Sequence, residues 1–191
     1  AGYTGAGSRV AVIDTGLDLD HPSFDPAAYN YALGQEQGSW DLLDQKEIAQ
    51  VLPRLTIAKD GLTAADLYRN TKVAFGYNYV DGDLDITHDN DPQGDHGTHV
   101  AGIATANRYV RQGSSFASAA ETVLAWCVAP EGQLLVMKVF GKNGGAYSED
   151  YMAAIQDAMY LGCDVINLSL GSNSPGFVDP AGSGVAFAEQ L

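Results

Sequence analysis

Three apolar runs constrain the fold of this chain more than any other feature. They read RVAVI, ending at Ile13, QLLVMKVF, ending at Phe140, and DVINLSL, ending at Leu170. Strands with one solvent-facing side alternate apolar and polar residues, whereas these runs do not, as is typical of strands buried on both faces. The sequence therefore predicts a parallel sheet that is covered by helices.

The segment between the second and third runs predicts one of those helices. It reads YSEDYMAAIQDAMYLG over 147–162, with Ser148 as a candidate N-cap and Gly162 as the stop signal. Ile155 and Met159 share one face of this helix. Because a strand, a helix and a strand in this order form a right-handed parallel crossover, we expect an α/β fold with a mostly parallel sheet flanked by helices.

Other stretches are less regular. The segment 25–70 is polar and weakly periodic, with two short helices predicted around 40–52 and 63–69, and we interpret it as an insertion on the surface. The run TKVAFGYNYV, 71–80, predicts a fourth strand. The segment 108–122 is rich in serine and alanine and predicts an exposed loop.

The composition limits the partners of this chain. Its formal net charge is -14 with ten scattered Lys and Arg residues, so we exclude nucleic acid, which requires clustered positive charge. No run approaches the roughly 20 apolar residues of a membrane span. The first residues, AGYTGAGSRV, lack an initiator Met and a signal-peptide pattern, and we interpret the chain as a trimmed or processed piece.

The two cysteines have no spacing typical of zinc or redox sites. Cys127 and Cys163 could pair if the protein is secreted, but two buried, unpaired thiols are the favoured interpretation.

Asp14 directly follows the first apolar run, in the segment VAVIDTGLDLDHP. Open parallel sheets form their sites at the carboxyl ends of strands, so Asp14 is a candidate functional carboxylate. The DTG tripeptide alone leaves other interpretations open. An aspartic protease uses it to hold one of two paired carboxylates, and a structural Asp that caps the next turn is a further alternative.

The segment GDHGTHVAGIATA distinguishes between these interpretations. Its small residues predict a helix packed close to the sheet, with His96 in the first turn, where its side chain projects into a cleft. An imidazole base needs a buried carboxylate to orient it, and Asp14 provides one. An aspartic protease would need a second DTG or a symmetric partner. We expect His99 to be buried against the sheet, and we interpret His21 and His88 as structural.

Three blocks in this order, VAVIDTG followed by HP, HGTHVAG and VINLSLGS, resemble the subtilisin-like serine proteases. The resemblance implies that Asp14 and His96 are two members of the catalytic triad. It also implies that 1–191 is the N-terminal part of the catalytic domain, with 25–70 outside the matching blocks. The enlarged spacing between Asp14 and His96 and the phrase KVAFGYNYVD look most like the large bacterial cell-envelope proteases, which implies a secreted or cell-envelope protein.

The resemblance implies two groups of substrate-binding residues. They are the strand end that lines the primary specificity pocket and a glycine-containing edge that pairs with the peptide backbone: Ser169, Leu170 and Gly171, and Gly144 and Gly145. For the glycine pair, a simple turn before the following helix remains an alternative.

The family's nucleophilic serine and oxyanion-hole asparagine have no recognisable counterpart before Leu191. We therefore expect the chain to be truncated, to need the missing C-terminal half of the catalytic domain as its partner, and to be inactive alone. The implied function is a serine endopeptidase that acts on peptides or proteins and requires no cofactor. A non-catalytic peptide-binding module of the same fold is the alternative. A dinucleotide-binding protein is disfavoured, because the glycines of GYTGAGSRV precede the strand instead of following it.

An acidic loop from Asp81 to Asp91, DGDLDITHDND, leaves a calcium site open, because Ca²⁺ prefers several carboxylate and carbonyl oxygens. The loop lacks the glycine and glutamate positions of an EF-hand, so a solvated acidic loop is favoured. The family often has a calcium-binding carboxylate at the position that Ser23 occupies in this chain, and its absence argues against the family's calcium site here.

Overall fold

A computed structural model describes residues 3–59, 61–89, 91–121 and 126–171. The strands in this part of the chain are β1 (Arg9–Asp14), β2 (Val73–Asn78), β3 (Tyr109–Gln112), β4 (Ser115–Ser118), β5 (Gln133–Lys138) and β6 (Val165–Asn167). The α-helices are α1 (Pro26–Gln35), α2 (Gln45–Val51), α3 (Ala64–Leu67), α4 (His96–Thr105) and α5 (Ser148–Tyr160). Short 3-10 helices lie at Pro22–Phe24, Leu52–Arg54 and Ala119–Glu121. No described helix has the length and apolarity that crossing a membrane requires.

The main sheet has the strand order β2-β5-β1-β6, and all three pairings are parallel. The predicted parallel sheet is therefore confirmed. The register pairs Asp14 at the end of β1 with Lys138 at the end of β5, which in turn pairs with Asn78 of β2. Three neighbouring strands thus end at one level and bring their last side chains to the same edge.

Two hydrophobic clusters explain why the strands lack polar alternation. Alternate residues of β1 and β5 point to opposite faces, so Ile13 and Met137 join one cluster and Val12 and Val136 join the other. Helix α5 covers the first face with Ala154, Ile155 and Ala158. Helix α4 lies on the second face, where Ala101 joins the cluster. Every residue of β1, β2 and β5 is buried as a result.

Strand β6 departs from this pattern. It pairs with β1 and forms the edge of the described sheet, and Val165 is 53% exposed. The expectation that the third apolar run is buried on both faces is therefore wrong for the described residues, in which β6 is the outermost strand of the sheet.

Helix α5 forms where the sequence predicts it, but its N-cap differs. The helix begins at Ser148 itself, and the N-cap residue is Tyr147, which makes no side-chain capping hydrogen bond. At the other end, Gly162 has a φ of +70°, and its N–H donates to the carbonyl of Met159 at 3.1 Å. This left-handed position is the one that a glycine adopts without strain, so the predicted stop signal is confirmed.

The segment 25–70 packs into the core. The predicted short helices are present as α2 and α3, and apolar side chains of the segment join the cluster beneath α5: Leu43, Ile48, Leu55, Ile57, Ala64 and Leu67. The interpretation as a surface decoration is corrected in this respect, because these side chains complete one face of the sheet. Helix α1 was not predicted, although Asp25 and Pro26 are its start signal: the Asp25 side chain accepts from the N–H of Ala27 at 2.9 Å.

The segment 108–122 contains an antiparallel hairpin of β3 and β4, which corrects the prediction of an irregular loop. Gly113, with a φ of +61°, lies in the turn. Tyr31 of α1 packs edge-on against Tyr109, at 5.0 Å between ring centroids, and stacks on Phe116 at 4.9 Å. These aromatic contacts hold the hairpin against α1.

Candidate active site

Asp14 and His96 form the centre of the candidate site. His96 Nδ1 lies 2.7 Å from Asp14 Oδ1, which confirms the predicted contact. Asp14 is 1% exposed at the end of β1, whereas the His96 side chain is 50% exposed at the start of α4. A buried carboxylate therefore contacts one nitrogen of an imidazole that is accessible from outside.

Thr15 connects the strand end to the helix start. Its N–H donates to Asp14 Oδ1 at 2.7 Å, and its hydroxyl donates to the carbonyl of Gly94 at 3.0 Å. The same hydroxyl oxygen accepts from the N–H of Gly97 at 2.8 Å. This role of Thr15 was not identified from the sequence. The signal that would have revealed this role is the presence of a hydroxyl-bearing residue directly after the candidate Asp.

Glycine at position 97 allows the start of α4 to pack directly against the residues that follow β1. A Cβ atom at Gly97 would lie 2.4 Å from the carbonyl oxygen of Gly16 and 3.1 Å from the nitrogen of Thr15. Only a residue without a side chain fits this distance. The predicted close packing of the HGTHVAG segment is therefore present, and it sets how near His96 approaches Asp14.

The hydrogen bond assigns the tautomer of His96. A carboxylate oxygen can only accept, so the ring N–H is at Nδ1 and donates to Asp14. In the neutral ring, Nε2 then carries the free lone pair and is the basic nitrogen. The second oxygen, Asp14 Oδ2, is buried without a hydrogen-bond partner among the described residues. The arrangement is suited to general-base chemistry, with the carboxylate stabilising the imidazolium that forms.

His99 contradicts the sequence prediction. Helix α4 faces the sheet with Gly97, Ala101 and Thr105, which follow each other at intervals of four residues. His99 lies off this stripe and is exposed, so the expectation of a buried His99 is wrong and the helix is rotated from the predicted orientation. His99 lines an open groove of about 580 Å³ together with His21 and His88.

His21 has the structural role that the sequence interpretation gave it. Its Nδ1 accepts from the N–H of Ser23 at 3.2 Å and so caps the 3-10 helix at Pro22–Phe24.

Comparison with known proteins identifies the family. The sequence profile of the Subtilase family matches residues 5–189. The chain belongs to the subtilase family. This subtilase chain is 37% identical over 177 residues to the PI-type proteinase of Lactococcus lactis subsp. cremoris, a match that covers 90% of this chain and 8% of that protein.

Two further relatives carry protease names. The minor extracellular protease Vpr of Bacillus subtilis (strain 168) is 31% identical, with 90% of this chain and 15% of that protein covered. A C5a peptidase of Streptococcus pyogenes is 35% identical, with 88% and 12% covered. Among solved structures, the S41 psychrophilic protease is 25% identical at a TM-score of 0.48, covering 98% of this chain and 44% of that one. The subtilase chain thus spans a minor share of the length of these relatives.

The glycine pair of the subtilase chain lies in a turn, the alternative that the sequence left open. Gly144 has a φ of +78°, and its N–H donates to the carbonyl of Gly141 at 2.9 Å. The Gly144 carbonyl accepts a hydrogen bond from Gln93 Nε2. Gly145 follows in the segment between this turn and α5, outside any strand. Substrate binding at Gly144 and Gly145 stays a prediction.

The residues predicted to line the specificity pocket follow β6. Asn167, the last residue of β6, stabilises this strand end by accepting a hydrogen bond from Ser169 Oγ at 2.9 Å. Ser169 and Gly171 are exposed, and Leu170 is half-buried. Because β6 runs parallel to β1, these residues continue towards the edge of the sheet at which Asp14 lies. Their role in substrate binding also stays a prediction.

Several carboxylates of the acidic loop have partners within the protein. Asn78 Nδ2 donates to Asp81 and Asp83, both at 3.1 Å, and Thr87 Oγ1 donates to Asp85 at 2.7 Å. The hydrogen bond from the Thr87 hydroxyl is the largest of the interactions that hold the pKa of Asp85 below its usual range. The described residues contain no cluster of three or more His, Cys, Asp or Glu side chains arranged to hold a metal ion. A calcium site in this loop stays a prediction.

Both cysteines are free and half-buried. The Cys127 thiol donates to the carbonyl of Ala106 at 2.8 Å. Burial raises the pKa of Cys163 to about 12. Neither environment favours a reactive thiolate.

Proposed function

We propose that the protein to which this chain belongs is a serine endopeptidase that hydrolyses peptide bonds in peptides or proteins. The observation that carries the proposal is the 2.7 Å contact between a buried Asp14 and a half-exposed His96. Within the subtilase family, this pair corresponds to two of the three groups that acyl transfer by a serine requires.

In the proposed mechanism, Asp14 accepts the Nδ1–H of His96 and keeps Nε2 as the proton acceptor. His96 Nε2 takes the proton from a serine hydroxyl as its oxygen attacks the carbonyl carbon of the substrate. The same nitrogen then donates this proton to the leaving amine as the C–N bond breaks and an acyl-serine forms. A water molecule next gives its proton to Nε2 and attacks the acyl-serine, and Nε2 returns the proton to the serine oxygen as the acid is released. Between these steps the ring is an imidazolium, and the negative charge of Asp14 stabilises it.

The nucleophile in this proposal is a serine beyond this chain, in the C-terminal half of the catalytic domain. No serine hydroxyl in the described part of the chain hydrogen-bonds to His96, whose Nδ1 contacts Asp14. The half-exposed ring leaves room for a further segment to approach it. The 191-residue chain alone is therefore expected to be inactive, since the residual assistance of a site without its nucleophile is small.

We infer that the protein acts outside the cytoplasm, secreted or at the cell envelope. Support comes from the similarity to the minor extracellular protease Vpr. Its partners in this proposal are peptides or proteins, and the activity requires no cofactor.

The test compares His96→Ala with His99→Ala in the full-length protein. Both remove an exposed imidazole from α4, but only His96 contacts Asp14. We expect His96→Ala to lower kcat for an unstructured peptide by at least about 10³-fold and His99→Ala to leave it within about twofold. A serine-directed fluorophosphonate should inactivate the wild-type protein.

Two results would contradict the proposal. The first is near wild-type turnover by His96→Ala. The second is a wild-type full-length protein that binds peptides, is not labelled by the fluorophosphonate and does not hydrolyse them. This second result would establish the alternative, a peptide-binding module with the subtilase fold.

A further inference from the structure

A buried lysine lies beside Asp14 at the carboxyl edge of the sheet. Lys138 is the last residue of β5, is 1% exposed and pairs in register with Asp14. An ammonium group that is removed from water is costly unless several acceptors surround it. Here Nζ donates to the carbonyl of Thr15 at 2.7 Å and forms an ion pair with Asp91, whose side chain is 6% exposed.

The first acceptor connects Lys138 to the Asp14 carboxylate. Thr15 uses all its polar groups at this place: its carbonyl accepts from Lys138, and its N–H donates to Asp14 Oδ1. Its hydroxyl meets the N–H of Gly97, the second residue of α4. A hydrogen bond that fixes the Thr15 carbonyl therefore also restrains the Thr15 N–H, which donates to Asp14, and the Thr15 hydroxyl, which contacts the first turn of α4, where His96 lies.

The second acceptor connects Lys138 to the approach to α4. Asp91 ends the acidic loop, and its backbone carbonyl accepts from the N–H of Gly94 at 3.2 Å. The Gly94 carbonyl in turn accepts from the Thr15 hydroxyl. Lys138 thus joins two segments that are far apart in sequence, the exit of β1 and the entrance of α4, and each carries one member of the Asp14–His96 pair.

We propose that Lys138 is a positioning residue for the Asp14–His96 pair, which it aligns by holding Thr15 and Asp91 together. The inference rests on the proposed function, because it takes Asp14 and His96 as the groups that do the chemistry. Lys138 acts through Thr15 and the loop, and it touches no reacting atom.

The chain contains a matched control at the amino-terminal ends of the strands. Lys72 directly precedes β2, is fully buried, and donates to the carbonyls of Pro130 at 3.0 Å and Gly132 at 2.9 Å. Both lysines are therefore buried and donate hydrogen bonds from Nζ to backbone carbonyls. A purely structural role predicts the same consequences for both, whereas a positioning role predicts a difference in turnover.

The experiment compares Lys138→Met and Lys72→Met in the full-length protein. We expect both to lower the melting temperature. In Lys138→Met, kcat should fall about 10- to 100-fold with KM within about twofold, because small displacements of aligned groups affect the chemical step. In Lys72→Met, kcat per folded molecule should stay within about twofold. Adding Asp91→Asn to Lys138→Met removes the unpaired buried carboxylate and should recover stability without recovering kcat.

A second measurement separates this inference from the proposed function. Hydrogen exchange of the Thr15 and Gly97 amides, which donate to Asp14 and to Thr15 itself, should become faster in Lys138→Met and stay unchanged in Lys72→Met. If the wild-type protein has no peptidase activity while this difference is observed, the proposed function fails and the alignment by Lys138 stands. Equal exchange in both variants, kcat within twofold of wild type in Lys138→Met, or the same kcat loss in Lys72→Met would each overturn the inference.

Discussion

Replacing Gly97 by alanine tests how closely α4 must approach the end of β1. The added Cβ would lie 2.4 Å from the carbonyl oxygen of Gly16, and its nearest neighbours are backbone atoms that cannot rotate away. To reach an ordinary contact distance, the helix start must move by about 1 Å. A movement of this size breaks the 2.7 Å contact between His96 and Asp14, since hydrogen bonds of this kind weaken beyond about 3.2 Å.

The magnitude follows from these distances. Overpacking costs about 1–3 kcal/mol, and the gain in helix propensity offsets about 1 kcal/mol of it. We therefore expect Gly97→Ala to lower the free energy of unfolding by up to about 2 kcal/mol. Turnover should fall about 100-fold, because displacing aligned groups by about 1 Å has effects of this size.

Gly102 in the same helix supplies the control, since a Cβ there would meet nothing within 4 Å. Gly102→Ala should raise stability by about 0.5–1 kcal/mol and leave kcat unchanged. The assays are urea unfolding and peptide hydrolysis by the full-length protein. If Gly97→Ala kept kcat within twofold of the wild type, the reasoning that this glycine sets the geometry of the pair would be refuted.

Two further predictions concern groups whose pKa values the fold shifts. Burial lowers the pKa of Lys72 from 10.5 to about 7. Between these two pH values the unfolded chain binds more protons than the folded protein. The contribution of this group to the free energy of unfolding therefore rises with pH, by up to about 1.4 kcal/mol per pH unit. Urea unfolding from pH 7 to 9 should show a smaller rise, or a steeper fall, in Lys72→Met than in the wild type, and parallel curves would contradict the shift. Burial raises the pKa of Cys163 to about 12, so its alkylation by iodoacetamide at pH 8 should be at least about 100-fold slower than in the urea-unfolded protein. Equal rates in the two states, followed by peptide mass spectrometry, would show that the thiol is not shielded.

The parts of the site that the sequence predicted are those with local signals. Asp14 follows an apolar run, and His96 opens a segment of small residues. The position of each residue can therefore be predicted from its immediate neighbours in the sequence. The parallel sheet was likewise predicted, because a strand covered on both faces needs apolar residues at every position. These features depend on burial, and burial leaves a pattern in the sequence.

The parts that the sequence did not predict depend on contacts between distant segments. The rotation of α4 follows from Gly97 meeting Gly16, and a helix with several small residues offers more than one candidate face. His99 was assigned to the wrong face for this reason. The partners of Lys138 come from β1 and from the acidic loop, so neither Thr15 nor Asp91 is recognisable from the neighbourhood of the lysine in sequence.

The strand order has a consequence for how the molecule assembles during synthesis. Strand β1 precedes both of its sheet partners in the chain and lies between β5 and β6, so Arg9 cannot pair with Gln133, nor Val10 with Val165, until those residues have been synthesised. At typical elongation rates this delay is roughly 6–30 s. Asp14 is at the end of that strand, so its burial requires non-local pairings of the kind that slow the folding of β-rich topologies. A nascent chain interrupted before Gln133 would expose the β1 segment, and it would be a substrate for chaperones and quality-control proteases instead of a partly formed enzyme.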